Sequence, residues 1–147
     1  MHLEGLYALN INRANVWDFI SDPQKFGPCL PELQSLEVID SKTFKVKVKV
    51  GIAFVRGSMK FDFILPAQDP PAYIKYEGKG KGAGTSVNLA VEIHLSEKSP
   101  ETTELSWVAN AEFGGLLGEM SESLVQKSTT KFTQQFFENV KSKLEAK

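Results

Sequence analysis

The sequence predicts an α+β fold, in which a curved antiparallel sheet of about seven strands surrounds a long C-terminal helix. The first observation is the spacing of apolar residues: between residues 33 and 113 they recur at every second position, as in half-buried strands. The second is that helical spacing replaces this alternation from residue 116 onwards. The third is a set of short turn segments, at residues 40–42, 68–71 and 97–100, which predict hairpins and therefore antiparallel pairing.

The N-terminal segment predicts one strand followed by two short helices. Residues 3–11 have the composition of a strand. Asn12 is placed to cap a helix that buries three apolar side chains, those of Val16, Phe19 and Ile20. Asp22-Pro23 ends this helix or begins another, because the residue before a proline disfavours helical angles. A second short helix is expected to follow and to end at Pro31.

Four later segments alternate between apolar and polar residues, as strands with one buried face do. Valine and lysine alternate over residues 45–50. In three further strands the alternation places the following residues on the inward face: Met59, Phe61, Phe63 and Leu65; Val87, Leu89, Val91, Ile93 and Leu95; Leu105, Trp107, Ala109, Ala111 and Phe113.

The C-terminal segment predicts one long helix. Residues from Leu116 to Leu144 include no proline, and a helix of this length extends for roughly 40 Å. We expect it to cross the concave face of the sheet and cover the inward side chains. Its apolar ladder is expected to be Met120, Leu124, Phe132, Phe136, Val140 and Leu144.

Composition limits the classes of function. The chain has 147 residues, 41% hydrophobic and 24% charged, which fits a single domain predicted to span residues 1–147. The formal net charge is −1, whereas nucleic-acid-binding proteins normally have a basic surplus. The one cysteine cannot form an internal disulfide, and His2 and His94 are too far apart in sequence to suggest a zinc site. With neither a membrane-spanning run nor a signal peptide, we expect a soluble cytoplasmic protein.

Small residues in the helix and in the last strand raise the possibility of an internal cavity. The middle of the helix carries Ser121, Ser128 and Thr129, and the strand that it crosses offers Ala109 and Ala111. Small groups that face small groups leave a gap where a packed core would use leucine. The alternative is that some of the ten phenylalanines fill this space.

Glycine alternates with lysine in the segment Glu77-Gly78-Lys79-Gly80-Lys81-Gly82-Ala83-Gly84. The spacing does not match the dinucleotide-binding pattern G-x-G-x-x-G, which needs a glycine at position 83 or 85, and no helix is predicted to follow. In an extended chain all four glycines would share one face, where a ligand or a helix could approach the backbone closely. A flexible glycine-rich hairpin explains the same residues equally well.

No set of catalytic residues stands out. His94 falls on the solvent face of its strand, and Cys29 has no histidine nearby in sequence and is expected to pack as a small apolar residue. No strand carries two carboxylates on its apolar face, as acid–base chemistry in a pocket would require. The sequence therefore favours a binding protein, with no catalytic residue, metal site or required cofactor predicted.

The following residues together resemble a known family. They are the segment Arg13–Pro23, Phe26, Cys29-Leu30-Pro31, the glycine–lysine alternation, Gly114–Gly118, and the helical aromatic residues Phe132, Phe136 and Phe137. Over essentially its whole length the chain is similar to the CoxG family of carbon monoxide dehydrogenase proteins. That family belongs to the START-like (SRPBCC) helix-grip superfamily, so the resemblance implies a hydrophobic cavity between the long helix and the sheet.

The resemblance also implies a function. Family members are associated with molybdenum-containing carbon monoxide dehydrogenases and with their coupling to the membrane, which suggests a quinone or a lipid in the cavity. Longer members have an extension after the helix that contacts membrane, whereas this sequence ends at Lys147. Lys141, Lys143 and Lys147 are interspersed with glutamates, so we expect at most a peripheral contact with the inner face of the membrane.

We therefore predict a non-enzymatic binding protein for a hydrophobic small molecule, accessory to a dehydrogenase of the molybdenum hydroxylase type. The residues predicted to line its cavity are apolar or small and lie on the inward side of their elements: Phe61, Phe63, Leu89, Val91, Trp107, Ala109, Leu117, Met120, Leu124, Ser128 and Phe132. One alternative is a polyketide cyclase or aromatase, for which Tyr7 or Tyr76 would supply the polar group inside the pocket. Another is an assembly or docking factor without a ligand, which predicts an exposed apolar patch near residues 52–55.

Overall fold

The computed structural model describes residues 1–146, so the predicted role of Lys147 lies outside the described residues. Its strands are β1 (His2–Leu9), β2 (Leu33–Asp40), β3 (Thr43–Ile52), β4 (Val55–Asp69), β5 (Tyr73–Gly82), β6 (Thr85–Ser99) and β7 (Thr102–Gly115). Its helices are α1 (Arg13–Ile20), α2 (Pro23–Phe26), α3 (Leu116–Glu119) and α4 (Glu122–Glu145), and a 3₁₀ turn, Gly27–Cys29, follows α2.

All seven strands belong to one antiparallel sheet in the order β1-β7-β6-β5-β4-β3-β2. Strands β2 to β7 follow one another as hairpins, and β1 returns to pair with β7, from His2 opposite Asn110 to Leu9 opposite Thr103. The long helix α4 packs on the concave face of this curved sheet, with Phe137 against Trp107 of β7. The predicted α+β fold is confirmed.

The two short helices form where the sequence predicts them, and each has a side-chain cap. Asn12 Oδ1 accepts a hydrogen bond from the backbone N–H of Asn15 at 2.9 Å. Asp22 Oδ1 accepts one from the N–H of Gln24 at 3.0 Å, with proline as the first residue of α2. The caps satisfy backbone donors that the first turn of a helix leaves free, so this compact turn closes over one end of the sheet.

The predicted inward face of each strand is also the observed one. Ala109, Ala111 and Trp107 of β7 are buried, as are Val46 and Val48 of β3. His94 is exposed and Cys29 is buried, both as predicted. The alternation of residue type was a sufficient guide because a strand turns successive side chains to opposite faces.

The prediction of one continuous helix from Leu116 was wrong. The chain forms the single turn α3, leaves helical geometry at Met120, and starts α4 at Glu122. Ser121 therefore caps α4, with its Oγ accepting a hydrogen bond from the N–H of Leu124, and does not face the interior. The residues of α4 that become fully buried are Val125, Phe137 and Val140.

Both ends of α4 are attached to the rest of the molecule. Near its N-terminus, Val125 packs with Val55 and Leu117 in a buried cluster. Near its C-terminus, Asn139 donates from Nδ2 to the carbonyl oxygen of Cys29 at 2.9 Å. Between these anchors the helix passes over the middle of the sheet, where the site described next is located.

Candidate ligand cavity

A cavity of about 650 Å³ lies between the concave face of the sheet and α4. This volume is within the range of cavities that hold small organic ligands. Its lining is predominantly apolar, and it draws on β3 to β7, on α4, and on the loop after the 3₁₀ turn. The residues of its floor and wall explain why side chains do not fill it.

The floor of the cavity is formed by four inward residues in the middle of β4 and β6, Phe61, Phe63, Leu89 and Val91. They are only half-buried, whereas Met59 and Leu65, on the same face of β4, are buried. Since all these side chains point inward, the remaining exposure of the middle residues is exposure to the cavity. The cavity therefore lies over the centre of the sheet.

Glycines of β5 allow two phenylalanine rings to lie flat on this floor. Phe61 is paired with Gly80 and Phe63 with Gly78 in the β4–β5 register. A Cβ atom added at either glycine would come within 2.5 Å of the facing ring. The glycine strip that the sequence suggested as bare backbone is thus covered by aromatic rings, and a ligand would contact the rings.

The wall opposite the floor is the middle of α4, with Ser128, Thr129, Phe132 and Thr133. The hydroxyl of Thr129 donates to the carbonyl oxygen of Val125 at 2.7 Å, and that of Thr133 to the carbonyl of Thr129 at 2.8 Å. Because these protons bond to the helix itself, the two threonines add little polar character to the cavity.

Most of the residues predicted to line the cavity are found there. They are Phe61, Phe63, Leu89, Val91, Trp107, Ala109, Leu117, Ser128 and Phe132.

Met120 and Leu124 are not part of the lining. Met120 packs beside the cluster of Val55, Leu117 and Val125, and Leu124 is exposed. The reason is the break before α4: once Ser121 caps the helix, Val125 faces inward, and Leu124 points about 100° away from it.

The lining also includes residues that the sequence reasoning did not select. Val46, Val48 and Tyr76 have the inward alternation of their strands, so that pattern could have identified them. The rim, in contrast, includes Leu30–Glu32 and residues 49–52, which are distant in sequence. The backbone N–H of Lys49 donates to the carbonyl of Glu32 at 3.0 Å, a contact that only the folded chain creates.

Comparison with known proteins supports the fold and identifies the family. The family model for the carbon monoxide dehydrogenase protein CoxG matches residues 5–145. The chain belongs to the CoxG family. Among curated proteins, none matches it.

Solved structures resemble this CoxG-family chain over nearly its full length. A conserved protein from Geobacillus kaustophilus is similar with a TM-score of 0.89 and 24% identity, covering 98% of this chain and 95% of that one. A START superfamily protein from Mycobacterium smegmatis has a TM-score of 0.74 and 10% identity, covering 98% and 97%. The Zhui aromatase/cyclase from Streptomyces sp. R1128 has a TM-score of 0.74 and 14% identity, covering 99% and 93%. These similarities show a START-like helix-grip fold.

The polar groups near the cavity of this CoxG-family protein are few. Tyr76 is buried and its hydroxyl donates to the carbonyl oxygen of Ile20 at 2.7 Å, and burial raises the pKa of this phenol. Glu32, Lys49 and Lys131 are exposed and lie at the rim. Over residues 1–146, Trp107 Nε1 is the one buried side-chain nitrogen or oxygen without a hydrogen-bond partner.

The described part of the chain offers neither a metal site nor a membrane-spanning helix. Within residues 1–146 no three histidine, cysteine, aspartate or glutamate side chains lie close enough together to hold a metal ion. No helix in the same range combines the length and the apolar character needed to cross a bilayer.

Proposed function

We propose that this protein is a non-enzymatic carrier that holds a hydrophobic small molecule, a quinone or a lipid, between the sheet and α4. The observation that carries the proposal is the cavity of about 650 Å³, whose lining is mainly apolar. Apolar lining transfers hydrophobic surface of a ligand out of water, which is the main source of affinity in such sites. Membership of the CoxG family and the START-like fold support the same function.

A quinone is the ligand class that best fits the remaining polar feature. Trp107 lines the cavity, and its Nε1 has a proton to donate but no partner within the described residues. An unsatisfied buried donor destabilises the empty protein, so a ligand oxygen that accepts this proton would bind more tightly than a pure hydrocarbon. Quinone carbonyls provide such an oxygen. The family description further supports a role beside carbon monoxide dehydrogenase, a redox enzyme that exchanges electrons.

The cyclase alternative has weaker support. The Zhui aromatase/cyclase shares the fold, and an enzyme of that kind would need a polar group free to act inside the cavity. Of the two candidates, Tyr76 already donates its proton to the carbonyl of Ile20, and Tyr7 stacks on Phe137 and is absent from the lining. A carrier requires neither tyrosine to react.

Native mass spectrometry of the gently purified protein, followed by solvent extraction, is the direct test. We expect a bound quinone or lipid of defined mass. Two variants, Ala109→Trp and Ser128→Phe, place large side chains in the cavity and are expected to lose this ligand while remaining folded. Matched controls are Ala67→Trp and Ser123→Phe, which make the same changes at exposed positions outside the lining.

The results separate the carrier from its alternatives. Loss of ligand in the two cavity variants alone supports the proposed location. Normal loading of both cavity variants would place the ligand elsewhere. A protein that is purified empty and gains no thermal stability from short-chain quinones, fatty acids or phospholipids would overturn the carrier.

A further inference from the structure

Three large apolar side chains are exposed together at one end of the molecule. The exposed fractions are 72% for Phe54, 38% for Leu116 and 39% for Leu124. Each is the chain neighbour of one member of a single buried cluster, namely Val55, Leu117 and Val125. Because those three neighbours pack against one another, the exposed side chains emerge at the same end. We refer to Phe54, Leu116 and Leu124 as the apolar tip.

The tightest part of the tip is the turn between β3 and β4. Ile52 pairs with Val55, so the turn consists of Ala53 and Phe54. Ala53 has a φ of 52°, in the left-handed region that residues with a side chain rarely adopt. A phenylalanine that is mostly exposed on such a turn gains nothing from the core of its own chain. This suggests that the tip has a partner outside the described chain.

The outer face of the sheet next to the tip is basic. Lys47 of β3 stands opposite Lys60 of β4, and Lys60 stands opposite Lys81 of β5. Like charges in direct register across a sheet are unfavourable, so this row needs an anionic partner to be balanced. Arg56 and Lys49, on the same face, lie closer to the turn. Within residues 1–146 none of the five has a carboxylate within 4 Å.

The carboxylates at this end are on the other side. Glu119 ends α3 and Glu122 begins α4, so both belong to the helical side of the tip. The chain as a whole is nearly neutral, with a net charge of −1, and its basic groups are therefore concentrated and not simply abundant. The separation of charge orients the tip, since the sheet side would approach an anionic surface and the helical side would turn away from it.

The same hairpin forms part of the rim of the cavity. Residues 49–52 line the cavity, and the turn that carries Phe54 follows them directly. The apolar tip, the basic face and the cavity rim therefore meet on β3 and β4. A surface of this composition, with a few apolar side chains beside a basic field, is typical of peripheral binding to anionic lipid.

We propose that the apolar tip and the lysine row Lys47–Lys60–Lys81 dock this protein on an anionic lipid bilayer, and that the hydrophobic ligand passes between bilayer and cavity along the β3–β4 hairpin. The second part rests on the proposed carrier function, whereas the docking does not. A bilayer fits better than an acidic protein because a quinone or a lipid is itself dissolved in the bilayer.

Vesicle co-sedimentation tests the docking with the full chain. We expect binding to vesicles of phosphatidylcholine mixed with phosphatidylglycerol, and little binding to phosphatidylcholine alone. Phe54→Ser should weaken binding roughly tenfold, because one exposed aromatic side chain no longer enters the interface. Lys60→Glu with Lys81→Glu should weaken it about tenfold or more, since each basic residue near an anionic surface contributes about fivefold.

Matched controls lie at the opposite end of β3. Ile39→Ser removes a side chain that is 52% exposed and lies near the β2–β3 turn, away from the tip. Lys42→Glu reverses an exposed charge in that same turn. Both controls should bind mixed vesicles as the wild type does, and circular dichroism checks that every variant is folded.

A second measurement, of short-chain quinone binding without vesicles, separates the two proposals. Loss of vesicle binding in the tip and lysine variants, with quinone binding unchanged, supports the docking surface. Quinone binding by a wild type that ignores mixed vesicles would overturn the docking and leave the carrier intact. Vesicle binding without quinone binding would overturn the carrier alone. Equal effects of the tip variants and their controls would overturn the assignment of the surface, as would wild-type binding only to an acidic partner protein.

Discussion

The middle and the C-terminal part of α4 cross the same sheet but meet it differently. In the C-terminal part Phe137 stacks on Trp107 with ring centroids 5.2 Å apart and on Tyr7 at 5.5 Å. Phe136 completes the group with an edge contact to Phe26 at 6.4 Å. In the middle, Ser128 and Thr129 face the cavity and reach no comparable partner. One helix thus joins a packed core to a hollow site.

The difference shows that the cavity results from side-chain size, not from a displaced helix. Buried contacts at both ends of α4, at Val125 and at Val140, keep it on the sheet. The space between is kept open because β7 contributes Ala109 and Ala111 there. A packed protein interior leaves few voids larger than a water molecule, so an opening of about 650 Å³ between two firm contacts is a feature with a use.

The largest effect is expected where the packed part is broken. Phe137→Ala should lower the free energy of unfolding by about 3–5 kcal/mol, because it leaves a void among close-packed aromatic rings. Phe132→Ala, on the same helix but half-buried at the cavity, should lower it by less than about 1.5 kcal/mol. Urea denaturation measures both. Equal losses would show that the middle of α4 is packed like its C-terminal part.

An intermediate effect is expected at the floor. Gly80→Ala would put a methyl group within 2.5 Å of the ring of Phe61, and overpacking of this kind should cost about 1–3 kcal/mol. The same change at Gly51, where the nearest atom is 3.7 Å away, should be close to neutral.

Combining Gly80→Ala with Phe61→Leu should recover part of the loss, because the smaller side chain can yield. If the double variant were no more stable than Gly80→Ala, the contact between ring and glycine would not be the cause. Thermal denaturation of the four proteins decides this.

The smallest effect compares two threonines whose hydroxyls both donate to backbone carbonyls. Thr103 donates to Ile11 at 2.7 Å, and Thr103→Val should cost about 1–2 kcal/mol because it leaves a buried carbonyl unpaired. Thr129→Val at the cavity wall should change the free energy of unfolding by less than about 0.5 kcal/mol, since the carbonyl of Val125 belongs to a helix. A loss at Thr129 as large as at Thr103 would indicate a polar site.

The comparison also explains which predictions from sequence were reliable. The inward residues of β7, such as Trp107 and Ala109, could be assigned from alternation alone. The helical stripe was harder, because spacings of three and four residues allow more than one face. Met120 and Leu124 were placed on the inward face, but the cap at Ser121 shifted that face to Val125. Gly118 and Ser121, both poor helix formers, were the available sign of the break.

The sequence by itself determined the order of elements, the inward face of every strand and the small residues under the middle of α4. These follow from local geometry, since the periods of strand and helix are properties of the backbone. Only the tertiary structure decided that Phe61 lies over Gly80 and Trp107 over Gly5, and that the β3–β4 turn, α3 and the start of α4 meet in one tip. Strand register and helix docking depend on contacts between residues far apart in sequence, which no local pattern specifies.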